Sequence, residues 1–219
     1  MRSISRLTAG LALVSLLPAV AAAQSERPFA DSWFWGVKGG AMTVKTNTDS
    51  KIAPTVGAEW LITRTRAGLY ISLEQGYFDN MSAAVADTSV TGGARPVAIR
   101  NFRRAAFSLL AFPTQWGAVR PYGGIGLSLN LVQRAVPVGT FGTNEGKNEV
   151  MQRVEDRRSR TSVLFMGGVQ GAVGPVSLFA QATAMPTGSR FLLSGDDNTY
   201  MVEAGVRFNV GSAIERIDR

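Results

Sequence analysis

Six charged residues lie on the polar face of strand-like segments, and they are the side chains best placed for chemistry. They are Lys38, Glu59, Glu74, Arg104, Glu203 and Arg207, with Gln170 and Gln181 nearby. In a narrow interior the cost of desolvating each charge forces pairing, and here three acids balance three bases. This balance predicts either a structural salt-bridge plug or a gated ion path that opens when the pairs exchange partners.

Catalytic chemistry is limited because two residue types are absent. The sequence contains no histidine and no cysteine. Serine–histidine and histidine–aspartate mechanisms require histidine, and most transition-metal sites require one of the two residues. We therefore expect no catalytic residue, no metal site, no cofactor and no enzyme activity. An all-carboxylate mechanism is the one formal alternative.

A second basic group lies in segments that are predicted to be loops or loop borders. Its members are Arg95, Arg100, Arg103, Arg157, Arg158, Arg160 and Arg190. Clustered arginines can hold phosphate groups through bidentate hydrogen bonds, which makes lipopolysaccharide the expected ligand of this rim. Glu155 and Asp156 lie among the arginines, so a solvated loop of mixed charge remains an alternative.

The elements that would position these residues are eight segments of alternating apolar and polar residues. They span residues 33–44, 53–63, 68–78, 104–112, 121–133, 162–173, 176–185 and 199–211. Successive side chains of a strand point to opposite faces, so seven of the segments have one apolar face and one polar face. The segment 104–112 is less regular, because Leu110 and Phe112 share a face with Arg104 and Ser108. In the last segment the apolar face runs from Tyr200 to Val210, and Glu203 and Arg207 lie opposite. Eight antiparallel strands can close into a barrel without free edges.

The connections between these segments alternate in length. Short connections are predicted at 63–66, 114–120 and 174–175, and long polar loops at 79–97, 135–160 and 186–198. Short turns on one side and long loops on the other are typical of outer-membrane barrels, although the loop at 47–51 is an exception. With an even number of strands, both termini would lie on the periplasmic side.

The apolar faces are nearly uncharged over about ten residues, the length that a tilted strand needs to cross a bilayer. A soluble lipocalin-like barrel has the inverse arrangement, with an apolar interior and a charged exterior. The pattern therefore favours a transmembrane barrel. A soluble periplasmic barrel that binds an apolar ligand remains the alternative.

The first 23 residues have the three-part organisation of a cleaved signal peptide. A basic start with Arg2 and Arg6 is followed by an apolar stretch and by Ala21–Ala23. The apolar stretch is shorter than the ~20 residues that span a bilayer, so we expect cleavage and a mature protein that begins near Gln24. The formal net charge of +7 then falls to +5. This modest, dispersed excess suggests contact with anionic lipid rather than with nucleic acid.

Four strand motifs carry a family resemblance. They are GVKGGAM, GLYISLEQGY, RPYGGIGLSLN and VEAGVRFNVG. The chain from Ser32 to Gly211 resembles the superfamily of small eight-stranded outer-membrane β-barrel proteins, which are OmpA- and OmpX-like. The resemblance implies an all-β, up-and-down antiparallel barrel over residues 32–211, preceded by a lead-in at 24–31.

The resemblance also implies a partner during biogenesis. In such proteins the final strand commonly ends the chain at an aromatic residue that the barrel-assembly machinery reads. Here Phe208 is the candidate, but it is followed by further residues, including a polar tail at 212–219. This tail is a departure from the pattern of the family. The oligomeric state is not determined by the sequence, and a monomer is favoured.

The sequence predicts location more sharply than activity. We expect an outer-membrane scaffold whose surface loops meet lipopolysaccharide or a partner protein. A narrow ion- or solute-conducting pore is the first alternative, and the soluble barrel is the second.

Overall fold

The computed structural model describes residues 29–174, 176–186, 188, 190–193 and 198–213. The predicted signal peptide and most of the predicted tail lie outside these residues. In chain order the elements are β1 Ser32–Lys45, β2 Ser50–Thr63, β3 Ala67–Gly76, β4 Met81–Ala86, β5 Ala94–Ala111, β6 Val119–Pro137, α1 Asn144–Arg158, β7 Ser159–Val173, β8 Val176–Pro186 and β9 Asn198–Ser212.

Eight of these strands form a closed antiparallel barrel. The hydrogen-bonded order is β3-β2-β1-β9-β8-β7-β6-β5, and pairing of β3 with β5 closes the sheet. The first and last strands are neighbours, with Val37 opposite Val206 and Lys38 opposite Gly205. The remaining strand, β4, follows β3 after a break and pairs with the first part of β5, from Ala94 to Ile99. The predicted eight-stranded, up-and-down barrel is therefore confirmed.

The predicted two faces of each strand lie inside and outside the barrel. Arg207 is fully enclosed and Glu203 is 1 % exposed, whereas Val202 on the same strand is 65 % exposed. Leu73 on β3 is 64 % exposed, although its neighbour Glu74 is buried. Apolar side chains therefore cover the exterior of the barrel, and polar side chains fill the interior.

The two ends of the barrel differ. One end, called here the terminal end, carries the start of β1, the end of β9 and the short connections. The opposite end carries a folded structure where the sequence predicted long polar loops. This structure, called here the cap, consists of β4, the first part of β5 that pairs with it, and α1. The prediction of a loop at 79–97 was wrong, because β4 and the first part of β5 form a hairpin there. The prediction of a loop at 135–160 was also wrong, since most of it is α1.

Local sequence explains both cap elements. In β4, Met81, Ala83 and Val85 alternate with exposed or half-buried residues, and all three are buried. Helix α1 begins after Thr143, whose hydroxyl accepts a hydrogen bond from the Gly146 amide at 3.1 Å. Val150 and Val154 of this helix lie one turn apart on its buried face, against β6, β4 and β7. The cap therefore has an apolar core of its own.

Phe29 lies at the terminal end of the barrel. Its ring centroid is 4.9 Å from that of Phe112 and 5.7 Å from that of Phe34. The guanidinium of Arg120 lies 4.5 Å from the centre of the Phe29 ring, and Thr63 donates a hydrogen bond to the Phe29 carbonyl. Within the described part of the chain, no helix is long and apolar enough to cross a membrane.

Candidate functional site: a charged network inside the barrel

The structure brings the six predicted interior charges together in the middle of the barrel. They project from β1, β2, β3, β5 and β9, and each is at most 5 % exposed. Lys38 forms the first centre. Its ammonium donates to a carboxylate oxygen of Glu74, to Glu203 at 3.0 Å and to the Tyr70 hydroxyl at 2.8 Å. One base is thus shared by two acids.

Arg104 completes this first group. Its Nε donates to the second oxygen of Glu74, and its Nη2 lies 3.7 Å from Oε2 of Glu203. The Ser72 hydroxyl adds a hydrogen bond of 2.8 Å to Glu74. Two bases and two acids therefore form one neutral group, in which each acid contacts both bases.

Arg207 and Glu59 form a second neutral group. Nε of Arg207 donates to Oε1 of Glu59 at 2.5 Å, and Nη1 donates to the side-chain oxygen of Gln170 at 2.5 Å. The guanidinium carbon lies 3.9 Å from the centre of the Phe179 ring, in the geometry of a cation–π contact. The arginine is therefore compensated by a charge, an amide and an aromatic face.

Two uncharged side chains join the two groups. The Tyr70 hydroxyl accepts from Lys38 and donates to Oε2 of Glu59 at 2.8 Å. The amide of Gln181 donates to the Tyr70 hydroxyl at 3.2 Å and to Glu203 at 3.1 Å. Gln181 in turn accepts from Tyr122 at 3.0 Å. Hydrogen bonds therefore run without a break from Arg104 to Arg207.

Sequence reasoning missed Tyr70 and Tyr122 as members of this site. Both lie on the charged face of their strands, among small residues such as Ser72 and Gly124. A large side chain with a hydroxyl on such a face is the signal that identifies them, because a buried tyrosine hydroxyl needs a partner. The described residues contain no group of three or more acidic, histidine or cysteine side chains suited to a metal ion.

The predicted arginine rim is not one cluster. Arg100 lies on β5 and pairs with Asp79, whereas Arg157, Arg158 and Arg160 lie beyond β6, at the junction of α1 and β7. Arg158 also contacts Glu155 at 3.2 Å. Arg160 and Arg190 are exposed, and Arg157 is half-buried.

Arg95 does not belong on a rim surface, because it is only 3 % exposed. Its Nε donates to Asp87 at 2.5 Å, its Nη1 donates to the carbonyls of Val138 and Thr140, and its guanidinium lies on the Phe141 ring. Hydrogen bonds from Ser89, and then from Arg95, lower the pKa of Asp87 to about 2. Arg95 thus holds the hairpin of the cap to the segment before α1.

Comparisons with known proteins place this geometry among characterised folds. Neither a protein-family model nor a curated protein sequence matches the chain. Among solved structures, Neisserial surface protein A (NspA) is similar with a TM-score of 0.54 and 15 % identity, over 80 % of this chain and 96 % of that chain.

Two further solved structures are similar at lower scores. The attachment invasion locus protein Ail of Yersinia pestis, in complex with the heparin analogue sucrose octasulfate, has a TM-score of 0.44 and 15 % identity, over 82 % of this chain and 100 % of that chain. The outer membrane protein OprG of Pseudomonas aeruginosa has a TM-score of 0.41 and 10 % identity, over 82 % and 94 %. With its closed barrel, its inside-out polarity and its likeness to NspA, the chain has the fold of the small eight-stranded outer-membrane β-barrel proteins that its strand motifs resemble.

Proposed function

We propose that this protein is an outer-membrane barrel with a closed interior, which serves as a scaffold that holds the cap outside the cell. The observation that carries the proposal is the continuous, charge-neutral network across an interior whose exterior is apolar. Export by the predicted signal peptide, recognition of Phe208 during assembly and contact with lipopolysaccharide belong to the same proposal.

The exterior supports a position in a membrane. Apolar side chains cover the outward faces of the strands, and a water-soluble protein rarely exposes so large an apolar surface. Near the terminal end Trp60 lies between Trp35, at 4.3 Å, and Trp33, at 6.0 Å between ring centroids. Tryptophan clusters of this kind favour the interface between lipid and water. The terminal end is then the periplasmic end, and the cap lies outside.

The interior supports a scaffold rather than a pore. Ions would have to pass Phe29, the charged network and the apolar core of the cap. Leaving one buried charge without its partner costs about 3–5 kcal/mol. The pairs here share partners, so opening one pair disturbs several. Glu203 is the weakest point, because its Oε1 has no hydrogen-bond partner within the described residues.

The soluble alternative requires an apolar cavity inside the barrel and charged groups outside it. The side chains point the other way on β1, β2, β3, β5 and β9, which carry the buried charges. Binding of an apolar ligand inside this barrel is therefore the least supported of the three functions.

Membrane location is tested by fractionation and by gel migration. We expect the protein to stay with washed membranes in high salt and in alkaline carbonate. After extraction in mild detergent, the unheated sample should migrate differently from the boiled one, as a closed barrel does. Release of the protein by salt alone would contradict the membrane proposal.

Closure of the interior is tested by conductance in planar bilayers. We expect the wild-type protein to give no steady channels. Glu149, exposed on α1, provides a matched control for substitutions in the network. The contrary outcome is a wild-type protein that conducts, with a conductance that Glu74→Gln raises and Glu149→Gln leaves unchanged. That outcome would favour the gated pore over the scaffold.

A further inference from the structure

The apolar exterior is shorter on one side of the barrel. Counted from the terminal end, the outward side chains of β9 stay apolar over six alternate positions, from Val210 to Tyr200. On β3 and β5 they stay apolar over only four, at residues 67–73 and 111–105. A difference of two alternate positions corresponds to four residues along the strand. At the usual strand tilt, it moves the border of the apolar surface by about 10 Å towards the terminal end. Polar groups therefore enter a zone that is apolar elsewhere.

Three outward polar side chains form this lower border. They are Gln75 on β3, Arg103 on β5 and Gln133 on β6. Nε of Arg103 donates to the Gln75 side chain at 2.9 Å. With its amide oxygen turned towards the guanidinium, Gln133 accepts from Nε at 2.6 Å and from Nη2 at 2.9 Å. No acidic side chain of the described residues forms an ion pair with Arg103, and its side-chain partners among them are the uncharged amides of Gln75 and Gln133.

Two more arginines lie above this border. Arg100 and Arg134 are directly opposite each other on β5 and β6, and like charges in such pairs repel. Arg100 contacts Asp79, whereas Arg134 has no ion pair among the described residues. Together with Asn80, the two arginines line a depression of about 240 Å³. Three arginines and one aspartate leave this surface with an excess of two positive charges.

A groove lies below Arg103, towards the terminal end. Its volume is about 560 Å³, and Val56, Leu73, Leu129 and Leu131 are among its walls. The floor is low because Ala105 lies between Leu73 and Leu129 in one cross-strand row. The groove is therefore apolar and continuous with the exterior of the barrel, and its upper end is positively charged.

We propose that this surface binds a phosphorylated acyl lipid of the outer leaflet, an inference that rests on the proposed membrane location. The phosphate contacts Arg103 and Arg134, with Arg100 beside them. An acyl chain occupies the groove and lies against its floor at Ala105. The order of charged and apolar parts matches a lipid whose head group faces the cap. A phosphate also compensates a guanidinium that would otherwise be costly at an apolar depth.

Binding can be measured by native mass spectrometry of the folded protein in mixed micelles. The probes are lipid A with both phosphates, lipid A with both phosphates removed, and inorganic phosphate. We expect lipid A to bind at least tenfold more tightly than its dephosphorylated form, and inorganic phosphate to bind negligibly. Arg103→Gln combined with Arg134→Gln should remove the tenfold preference, whereas Arg153→Gln on α1 should leave it unchanged.

Two further variants separate the site from a folding defect. Arg134 lies on the cap side of the apolar surface, so Arg134→Gln should leave the barrel and its heat-dependent migration intact. The same variant should weaken lipid A binding severalfold. Ala105→Phe should fill the groove and weaken both acylated probes. Equal binding of the two lipids by a folded wild-type barrel would overturn this site and leave the scaffold proposal intact. A wild-type protein that is not a membrane barrel at all would overturn both.

Discussion

Arg207 illustrates at the residue scale what the alternation of a strand can and cannot predict. Its place on the polar face of β9, opposite apolar residues, predicts that it is enclosed, and it is. Its partner Glu59 lies 148 positions away, and the pairing follows from the closure of β1 onto β9, which no local pattern specifies. The partners of Tyr70 are not specified by local sequence for the same reason, because its hydrogen bonds join residues of three other strands.

Removal of the Glu59 charge is expected to destabilise the barrel strongly. Glu59→Gln keeps the size of the side chain but leaves Arg207 without its only carboxylate among the described residues. The free energy of unfolding should fall by about 3 kcal/mol, since an enclosed charge loses its partner. Urea unfolding in detergent measures this. Glu149→Gln is the control. An equal loss of unfolding free energy in the two variants would contradict a stabilising role of the interior ion pair.

Asp87 provides a pH-dependent contribution to the cap. Its pKa in the folded protein is about 2, below the ordinary value of 3.8. The folded state therefore gains stability from the ionised carboxylate above about pH 4 and loses it as the pH falls towards 2. Protease cleavage of the β4–β5 hairpin should rise over this range in the wild type. Asp87→Asn should be cleaved more readily at neutral pH and change less on acidification; identical pH profiles would contradict this role.

At the element scale, the strands of the barrel were predictable and the cap was not. Most of the barrel segments have a long alternation, and the exception at 104–112 lies between segments that have one. By contrast, β4 has only six residues and stands among turn-forming residues. Helix α1 is strongly charged, and only Val150 and Val154 mark its buried side. Two apolar residues in a charged segment do not distinguish a helix from a polar loop. The helix becomes recognisable only when its buried side is seen packed against other elements.

Close packing of β5 on β6 explains one glycine in the segment from Gly123 to Gly126. A Cβ on Gly126 would collide with the carbonyl oxygen of Phe107 and the hydroxyl of Ser108. Gly126→Ala should therefore lower the yield of folded barrel and its unfolding midpoint. The nearest atom to a Cβ on Gly123 is 3.8 Å away, so Gly123→Ala should fold normally. Heat-dependent gel migration after refolding compares the two, and equal yields would exclude the steric explanation.

At the scale of the whole molecule, two differently stabilised parts share one chain. Every strand of the barrel has hydrogen-bonded neighbours on both sides, and its interior is joined by one network. In the cap, β4 pairs along one edge with β5. Its other edge is held by side chains, since Asn47 accepts from the Ala84 amide at 2.8 Å and Thr48 donates to the Ser82 carbonyl at 2.7 Å.

This difference predicts that the cap opens before the barrel. Few backbone hydrogen bonds and a small apolar core give a low free energy of local opening, whereas a closed sheet can open only by breaking many pairs together. In hydrogen exchange at neutral pH, the amides of β4 should exchange at least tenfold faster than those of β1. Added urea should narrow this difference, because opening of the barrel exposes more surface than opening of the cap. Asn47→Ala should accelerate β4 alone. Equal protection of β4 and β1, with one common urea midpoint, would mean that cap and barrel form a single cooperative unit.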